Sequence, residues 1–390
     1  MKTKIKNKQE RGITLIALVV TIVVLLILAG VSISLVLNNN GVISKSKDAR
    51  DQYAEAQTNE EKQLNEVSDW IDTKVGETSG SSNYDPASEG VTIPDGFYYV
   101  GGTKDSGLVI SDAVADKEKY KGQETVGTDF VGNQFVWIPV ENIADYKRIA
   151  YSGVATGTID TTTNSEQIKI DSLNSDCFIE ALPADEKTSV EANKGYYMGR
   201  YEAGDKESTE AKTLRVNGES KSNTITVKAG QAPYNFIEYA VAKSLAEGFS
   251  GKEGYTSVKS KLVSSYAWDT AIAFIQKTNN DYGSSSEEGN YLDTEFTYKD
   301  ITGASQTKAV VSWGLGKLIP TGQTTAVNNI YDMGGNAEEW TTESYSKADV
   351  AYTCRGGDYT GKIINGPAGY RHDSTDGTYG FRGFRLTLFL

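Results

Sequence analysis

Histidine and cysteine are scarce in this chain of 390 residues, which contains one histidine and two cysteines. A single histidine excludes a histidine-rich metal centre and leaves little scope for catalysis tuned to neutral pH. The two cysteines, Cys177 and Cys354, are too far apart in sequence for a zinc-finger spacing. Two alternatives stay open for them, a disulfide bond or two buried free thiols.

Positive charge is also in short supply, because the formal net charge is −13. The first twelve residues carry five lysines and arginines against one glutamate, so the rest of the chain is more acidic than the whole. An acidic body argues against nucleic-acid binding and fits a soluble surface that attracts cations.

Charge is absent from residues 13–37. At about 1.5 Å per residue, a helix of this length crosses a hydrocarbon core of about 30 Å. We therefore expect a single membrane helix, with the basic leader 1–12 in the cytoplasm and the rest of the chain extracellular. An amphipathic stalk is predicted to continue to residue 75, from apolar residues at helical spacing: Leu64, Val67, Trp70 and Ile71. Residues 76–90 are rich in Gly and Ser and predict a flexible linker.

Residues 91–390 predict a mixed α+β domain with short antiparallel strands, two main helices and long loops. Two apolar runs, 96–100 and 108–110, predict an early hairpin. Residues 135–140 are uninterruptedly apolar, which favours a strand covered on both faces. A polar excursion is expected over 151–172, and a loop over 279–289.

The two predicted helices lie in the second half of the chain. The first begins at Pro233, carries an apolar stripe that ends at Leu245, and stops at Gly248. The second is capped by Ser264 or Ser265. The chain then ends in an alternating strand over 384–390, which predicts that its last residue lies in the core.

Several short motifs occur in a fixed order along this domain: Phe135–Pro139, Tyr197–Glu202, Ile330–Trp340, Arg355–Tyr359 and Gly383–Leu386. Together they resemble the signatures of the formylglycine-generating, or sulfatase-modifying-factor, domain, a variant of the C-type-lectin fold. The resemblance implies that fold for residues 91–390. It covers about two thirds of the chain.

The same resemblance implies calcium. One ion would take the Asp332 side chain, the carbonyls of Gly335 and Ala337, and the Glu339 carboxylate; a second site would include Asn290 and the carbonyl of Tyr291. The loop itself offers carboxylate and carbonyl oxygens close together, which are the ligands that Ca²⁺ prefers. The alternative is a solvated acidic turn in which Glu339 bonds to backbone amides.

Catalysis is not expected from the sequence. The formylglycine-generating enzymes use two cysteines just after the Arg-Gly-Gly motif to bind copper, but residues 359–366 contain none, and Gly361 and Gly366 stand where thiols would be needed. Without thiolates, soft Cu(I) has no ligands here. A cysteine-modifying oxidase therefore remains a disfavoured alternative.

Ligand binding is the function we expect instead. The loop before the last strand is dense in side chains that combine aromatic area with adaptable hydrogen bonding, and recognition loops on rigid scaffolds have this composition. It resembles the variable region of diversity-generating-retroelement proteins, which place hypervariable residues before a terminal Gly-Phe-Arg strand. An ordinary polar loop is the alternative. The candidate residues for an extracellular protein or glycan ligand are Tyr359, Tyr370, His372, Asp373, Ser374, Asp376, Tyr379 and Arg382.

The junction Glu10–Ile16 resembles the leader of type IV prepilins. This implies cleavage after Gly12 and methylation of Ile13. The glutamate expected at mature position five is Ala17 here, which puts filament assembly in doubt more than anchoring. A minor pilin-like subunit, associated with other pilins, is thus one alternative function, and an uncleaved signal anchor is the alternative to processing.

Overall fold

The computed structural model describes residues 19–26, 28, 84–151, 158–159, 167–169, 177–206, 223–346 and 351–390. Residues 19–26 are helical. Within the described residues, no helix combines the length and apolarity that crossing a bilayer requires. The processing residues Gly12 and Ile13, most of the predicted membrane segment and the stalk lie outside the described residues. Contacts divide the chain into two units, 1–79 and 80–390, and the following concerns the second.

A six-stranded antiparallel sheet forms the centre of this unit. Its strands follow the order β1 (Tyr98–Gly101), β2 (Val109–Ser111), β3 (Gln134–Pro139), β7 (Gly195–Gly199), β17 (Leu386–Phe389) and β10 (Lys259–Leu262). The predicted early hairpin is confirmed as β1 and β2. Strand β3 is buried along almost its whole length and pairs with β2 and β7, which confirms the strand predicted over 135–140.

A second, seven-stranded sheet carries the C-terminal motifs. Its main path is β15 (Arg371–Ser374), β14 (Tyr352–Arg355), β13 (Glu338–Tyr345), β6 (Cys177–Ile179), β5 (Gln167–Lys169) and β4 (Thr158–Ile159), while β16 (Arg382–Phe384) pairs in parallel with β13. Strands β4 and β5 come from the predicted polar excursion. Two small hairpins complete the set: β8 (Gly204–Asp205) with β9 (Ile225–Thr226), and β11 (Phe296–Lys299) with β12 (Ser305–Lys308).

Three α-helices are described in this unit: α1 (Ala184–Asn193), α2 (Tyr239–Glu253) and α3 (Ser265–Ile275). Helix α3 confirms the second predicted helix, because the Ser264 side chain caps it by accepting the amide of Ala267 at 3.1 Å. Helix α1 was not predicted, since it carries one large apolar residue, Val190.

The bounds predicted for α2 are wrong at both ends. Phe236 has a φ of +50°, so the chain is not helical there and the helix begins only after Glu238. Gly248 lies inside the helix, and Gly254, with a φ of +77°, ends it in the left-handed conformation that favours glycine.

The hydrophobic core has two parts that share the central sheet. Alternate residues of its strands face opposite sides: Phe135, Trp137 and Tyr197 join one cluster, and Val136, Ile138 and Tyr196 join the other. Helix α2 packs into the first cluster and α3 into the second. The central sheet is therefore covered on both faces.

The last strand differs from its prediction. Instead of one strand over 384–390, the chain forms β16 in the second sheet and β17 in the first, with Arg385 between them. Leu386 and Leu388 are fully buried, and Leu390 packs partly buried against the core. The prediction that the chain ends in the core is confirmed, but its final segment joins two sheets.

The predicted linker is shorter than expected at its C-terminal end. Residues Pro86–Glu89 form a 3-10 helix capped by the Asp85 side chain, and Pro86 is buried. The hydroxyl of Tyr84 accepts the amide of Lys104 at 2.9 Å. Residues 84–90 therefore belong to the folded unit, which begins before residue 91.

Candidate functional site

The loop Ile330–Trp340 enters strand β13 through an unusual backbone. Asp332, Gly335 and Asn336 have φ values of +55°, +71° and +60°. Non-glycine residues seldom adopt this region, and Asn and Asp tolerate it best. A sequence that places Asp, Gly and Asn at these positions is therefore suited to a tight, specific loop.

Asn336 holds this loop to three other segments. Its amide group donates to the Glu202 carboxylate at 2.7 Å, and its carbonyl oxygen accepts from Asn290 at 3.0 Å and from the backbone of Ile319 at 3.1 Å. The backbone amide of Ala337 donates to the other oxygen of Glu202 at 2.9 Å. The Gly-Asn-Ala part of the motif is thus a structural junction around a buried glutamate.

Three buried carboxylates share one buried arginine beneath this loop: Glu202, Asp332 and Glu339 around Arg385. Burial, and then the neighbouring Asp332 and Glu339, raise the pKa of Glu202 well above its ordinary value. Burial raises the pKa of Glu339 to about 7 although Arg385 opposes the shift. Burial lowers and Glu339 raises the pKa of Arg385, and the net direction is upward. We therefore treat Arg385 as charged and the acids as competing for it.

Arg385 binds both sheets. Its guanidinium donates to Glu339 on β13 at 2.7 to 3.2 Å, to the carbonyl of Gly199 on β7 at 2.9 Å, and to the carbonyl of Tyr331 at 2.8 Å. This explains why an arginine interrupts the apolar terminal segment. The side chain satisfies donors that two sheets and one loop share.

The residues predicted to bind calcium already have protein partners. Glu339 faces Arg385 rather than backbone amides, so neither sequence interpretation of its contacts described this pairing. Asp332 accepts the amide of Gly322 at 2.7 Å and the Thr324 hydroxyl. Among the described residues, no group of three or more His, Cys, Asp or Glu side chains is arranged to hold a metal ion.

One atom in this region does fit a cation. The carbonyl oxygen of Asn290 is buried and accepts no hydrogen bond, while its amide group donates to the carbonyl of Lys317 at 2.8 Å. Asn290 also lies against Gly335 through an isolated β-bridge. Calcium binding by Asn290, Asp332, Gly335, Ala337 and Glu339 stays a prediction.

The predicted ligand-binding residues surround strand β15. Tyr370 and His372 lie next to each other, with ring centroids 5.9 Å apart. Tyr359, Tyr370, His372 and Asp373 are partly exposed. Asp376 and Tyr379 are exposed. We refer to these six residues as the C-terminal surface.

Two of the eight predicted residues need a correction, because Ser374 and Arg382 are buried. The Ser374 hydroxyl donates to the carbonyl of Thr375 at 2.9 Å. Arg382 lies under the surface with its guanidinium 4.6 Å from the ring centroids of both Trp340 and Tyr379. These side chains support the C-terminal surface and do not form it.

Glu338 was missed by the sequence analysis and organises the surface from below. One carboxylate oxygen pairs with His372 Nδ1 at 2.7 Å and the other with Arg382 Nε at 2.6 Å. The hydrogen bond with Glu338 raises the pKa of His372. Burial alone would raise the pKa of Glu338, but the hydrogen bond with His372 and the Arg382 charge hold it below its usual value. The glutamate before Glu339 in the motif was the available signal.

The loop between β15 and β16 is tied to the start of helix α2. Asp376 accepts the amide of Tyr239 at 2.7 Å, and the side-chain amide of Asn235 donates to the carbonyl of Gly380 at 2.8 Å. The amide of Phe236 donates to the carbonyl of Tyr379 at 3.1 Å. These bonds hold the exposed Tyr379 on a fixed support.

Cys354 is a free thiol, fully buried on the same strand pair. Burial raises its pKa well above the ordinary value, so it is not a reactive thiolate. Cys354 pairs with Trp340 on β13, whereas Phe178, next to Cys177, pairs with Tyr345 five residues further along. At about 3.3 Å per residue this separation exceeds the reach of a disulfide, so that alternative does not hold for Cys354.

A buried ion-pair network supports the opposite face of this sheet: Arg148, Arg355 and Arg371 with Asp269 and Glu343, all at most 4 % exposed. Arg371 Nε lies 3.0 Å from Glu343. Arg355, from the Arg-Gly-Gly motif, lies 2.5 Å from Asp269 on helix α3. The network fixes β14 and β15 against α3, which positions the neighbouring C-terminal surface.

Comparisons with known proteins add little to this geometry. No protein-family model matches the chain, and no curated protein matches it. Three solved structures are similar to part of it. The structure of CarF shares 14% identity at a TM-score of 0.32, over 50% of this chain and 87% of that one. PvdO from Pseudomonas aeruginosa shares 17% at 0.31, over 51% and 82%. Treponema denticola variable protein 1 shares 14% at 0.30, over 68% and 98%. Likeness at these scores carries no argument about function.

Proposed function

We propose that this chain is a non-catalytic, membrane-anchored surface protein that binds an extracellular ligand through the C-terminal surface of a C-type-lectin-like head. The observation that carries the proposal is the pair Tyr370 and His372, partly exposed and backed by the buried Glu338 and Arg382. Aromatic and imidazole groups held rigidly at a surface lose little entropy when a ligand binds.

The proposal is supported by how the surface is built. Ion pairs and helix contacts fix its underside, while its exposed residues take few of the hydrogen bonds that hold the fold. Variation at exposed positions would therefore leave the scaffold intact. This is the property that a retroelement-diversified surface would require.

The test uses cells that display the full chain. Adhesion to surfaces coated with mucin, fibronectin or intact bacteria is measured for the wild type and for the triple variant Tyr370→Ala, His372→Ala, Tyr379→Ala. The matched control is Val131→Ala, which alters an exposed apolar residue outside this surface. We expect the triple variant alone to lose adhesion. Equal adhesion by the triple variant would refute the assignment of the surface.

Anchoring and processing need their own measurements. The uncharged segment 13–37 supports a single membrane helix with an extracellular head, and protease treatment of intact cells should release head fragments. Mass spectrometry of the N-terminus should give a methylated Ile13 if cleavage follows Gly12. An intact Met1 would favour the uncleaved anchor.

Two other functions remain as alternatives. A minor pilin-like subunit would be recovered in sheared pili rather than in membranes alone. A cysteine-modifying oxidase would consume oxygen when copper-loaded protein meets a thiol peptide, although Gly361 and Gly366 occupy the positions of the expected thiols.

Calcium forms a separate part of the proposal. The unpartnered Asn290 oxygen and the left-handed Gly335 and Asn336 support a cation near this loop. We expect added Ca²⁺ to raise the melting temperature of the full chain and Asn290→Ala to remove that effect. A calcium-independent melting temperature in the wild type would contradict this part alone.

A further inference from the structure

Apolar side chains are exposed together between hairpin β11–β12 and the buried Leu318. Val310, Trp313 and Leu315 are 61%, 86% and 63% exposed, and Ile364 on a neighbouring loop is 73% exposed. Among the residues that the structure describes after residue 83, only Val131 and Tyr379 are comparable large apolar side chains on the surface. A local concentration of this kind marks a binding site more often than chance exposure does.

A pocket of about 730 Å³ lies beside Trp313. Its volume falls within the range of about 300 to 1,000 Å³ that is usual for small-molecule sites. The polar lining comes from Asp293, Ser312, Thr360, Lys362 and Asn365. We refer to this cavity as the Trp313 pocket.

Backbone hydrogen bonds fix the walls of the Trp313 pocket. The amide of Leu292 donates to the carbonyl of Gly361 at 2.8 Å, and the amide of Val311 donates to the carbonyl of Leu292 at 2.9 Å. Asp293 accepts the amide of Ile363 at 3.1 Å. The pocket is therefore held between two loops in a fixed shape, which reduces the entropic cost of binding.

Trp313 stands at the tip of a turn that leaves its ring free. The amide of Leu315 donates to the carbonyl of Ser312 at 3.1 Å, which closes the turn around Trp313. Its indole offers a flat apolar face with one N–H donor at the edge. A ligand that stacks on this face would bury apolar area that the fold itself leaves in water.

The chemistry of the polar lining selects the ligand class. Asp293 supplies acceptors, Lys362 supplies donors, and Asn365 supplies both. One acid and one base favour no net charge on the ligand. An apolar peptide side chain would desolvate these groups without partners, which is costly. A ring with an apolar C–H face and several hydroxyl groups would satisfy both the indole and the lining.

We propose that the Trp313 pocket binds a neutral pyranose unit of a glycan, with the sugar ring stacked on Trp313 and its hydroxyls bonded to Asp293, Lys362 and Asn365. This site is separate from the C-terminal surface and does not rest on the function proposed above. It assigns a ligand class to residues that the ligand-binding prediction did not include.

The experiment titrates neutral oligosaccharides into the full chain, solubilised in lauryldimethylamine oxide because that detergent has no sugar headgroup to compete. The probes are maltohexaose, cellohexaose and chitohexaose, followed by tryptophan fluorescence and by calorimetry. We expect at least one to bind and its Kd to rise at least tenfold in Trp313→Ala. Trp313→Phe should retain weaker binding, and Asn365→Ala should weaken it several-fold.

Tyr379→Ala is the matched control, since it removes an exposed aromatic ring from the C-terminal surface. It should bind the oligosaccharide as the wild type does. Because Trp313 is exposed, its replacement should leave the melting temperature unchanged, so lost binding cannot be ascribed to unfolding. Absence of binding to all three probes, or binding that is insensitive to Trp313→Ala, overturns the proposal.

Discussion

The replacement Glu180→Gln should change how the stability of the head depends on pH. Glu180 follows strand β6 and is 7% exposed. Its carboxylate accepts the amide of Ser265 at 2.8 Å and the hydroxyls of Ser265 and Thr342. Burial, and then the nearby charge of Glu343, raise the pKa of Glu180 to about 7, while the two hydroxyl bonds oppose that shift.

The magnitude follows from the difference between the folded pKa of about 7 and the ordinary value of 4.5. Each pKa unit corresponds to about 1.4 kcal/mol, so ionising Glu180 in the folded state costs ~3 kcal/mol. Between pH 4.5 and pH 7 the folded chain holds a proton that the unfolded chain has lost. The contribution of Glu180 to stability therefore falls as pH rises through this window and is constant above it.

Glutamine has nearly the same shape but does not titrate. The free energy of unfolding of Glu180→Gln, relative to the wild type, should accordingly rise by about 3 kcal/mol between pH 4.5 and pH 8. Urea denaturation of the full chain at pH 4.5, 6 and 8 measures this difference. Glu191→Gln, an exposed glutamate on helix α1, controls for the loss of charge. If the wild type and Glu180→Gln give parallel pH curves, the assignment of a buried, late-ionising carboxylate is refuted.

Three further predictions concern other buried groups. Glu338→Gln should lower the pKa of His372, because their hydrogen bond is the main cause of its upward shift; NMR titration of the only histidine reports this directly, and an unchanged pKa would sink the idea. Arg385→Met should destabilise the chain by about 3 to 5 kcal/mol in urea because it leaves Glu339 buried without its partner, and adding Glu339→Met should recover much of the loss; equal stability of the single and double variants would contradict the pairing. Cys354 should resist a thiol reagent in the native state and react in urea, whereas rapid native labelling would show that it is not buried.

Local patterns predicted much of the fold. The early hairpin, the doubly covered strand β3 and the Ser264 cap each depend on residues close together in sequence, so their apolar spacing and turn chemistry indicate them directly. Helix α2 was displaced because Phe236 and Ile237 continue an apolar stripe that the backbone leaves at Phe236. Spacing alone does not show a positive φ.

Long-range pairing explains what the sequence could not predict. Arg148 and Glu343 form a buried ion pair across 195 residues, and nothing near either residue indicates the other. The split between β16 and β17 is of the same kind, since alternation continues through Arg385 while its hydrogen bonds join different sheets. The Trp313 pocket was missed because its two walls meet only through tertiary contacts.

The position of strand β17 has a consequence for synthesis. Leu386–Phe389 lies between β7 and β10, so two partners that precede it by well over a hundred residues have an empty place between them until translation ends. The central sheet cannot close while the C-terminus is still inside the ribosome. A nascent chain of this design stays without its finished core until release, and an unfinished chain is the form that threads most readily through a narrow export channel.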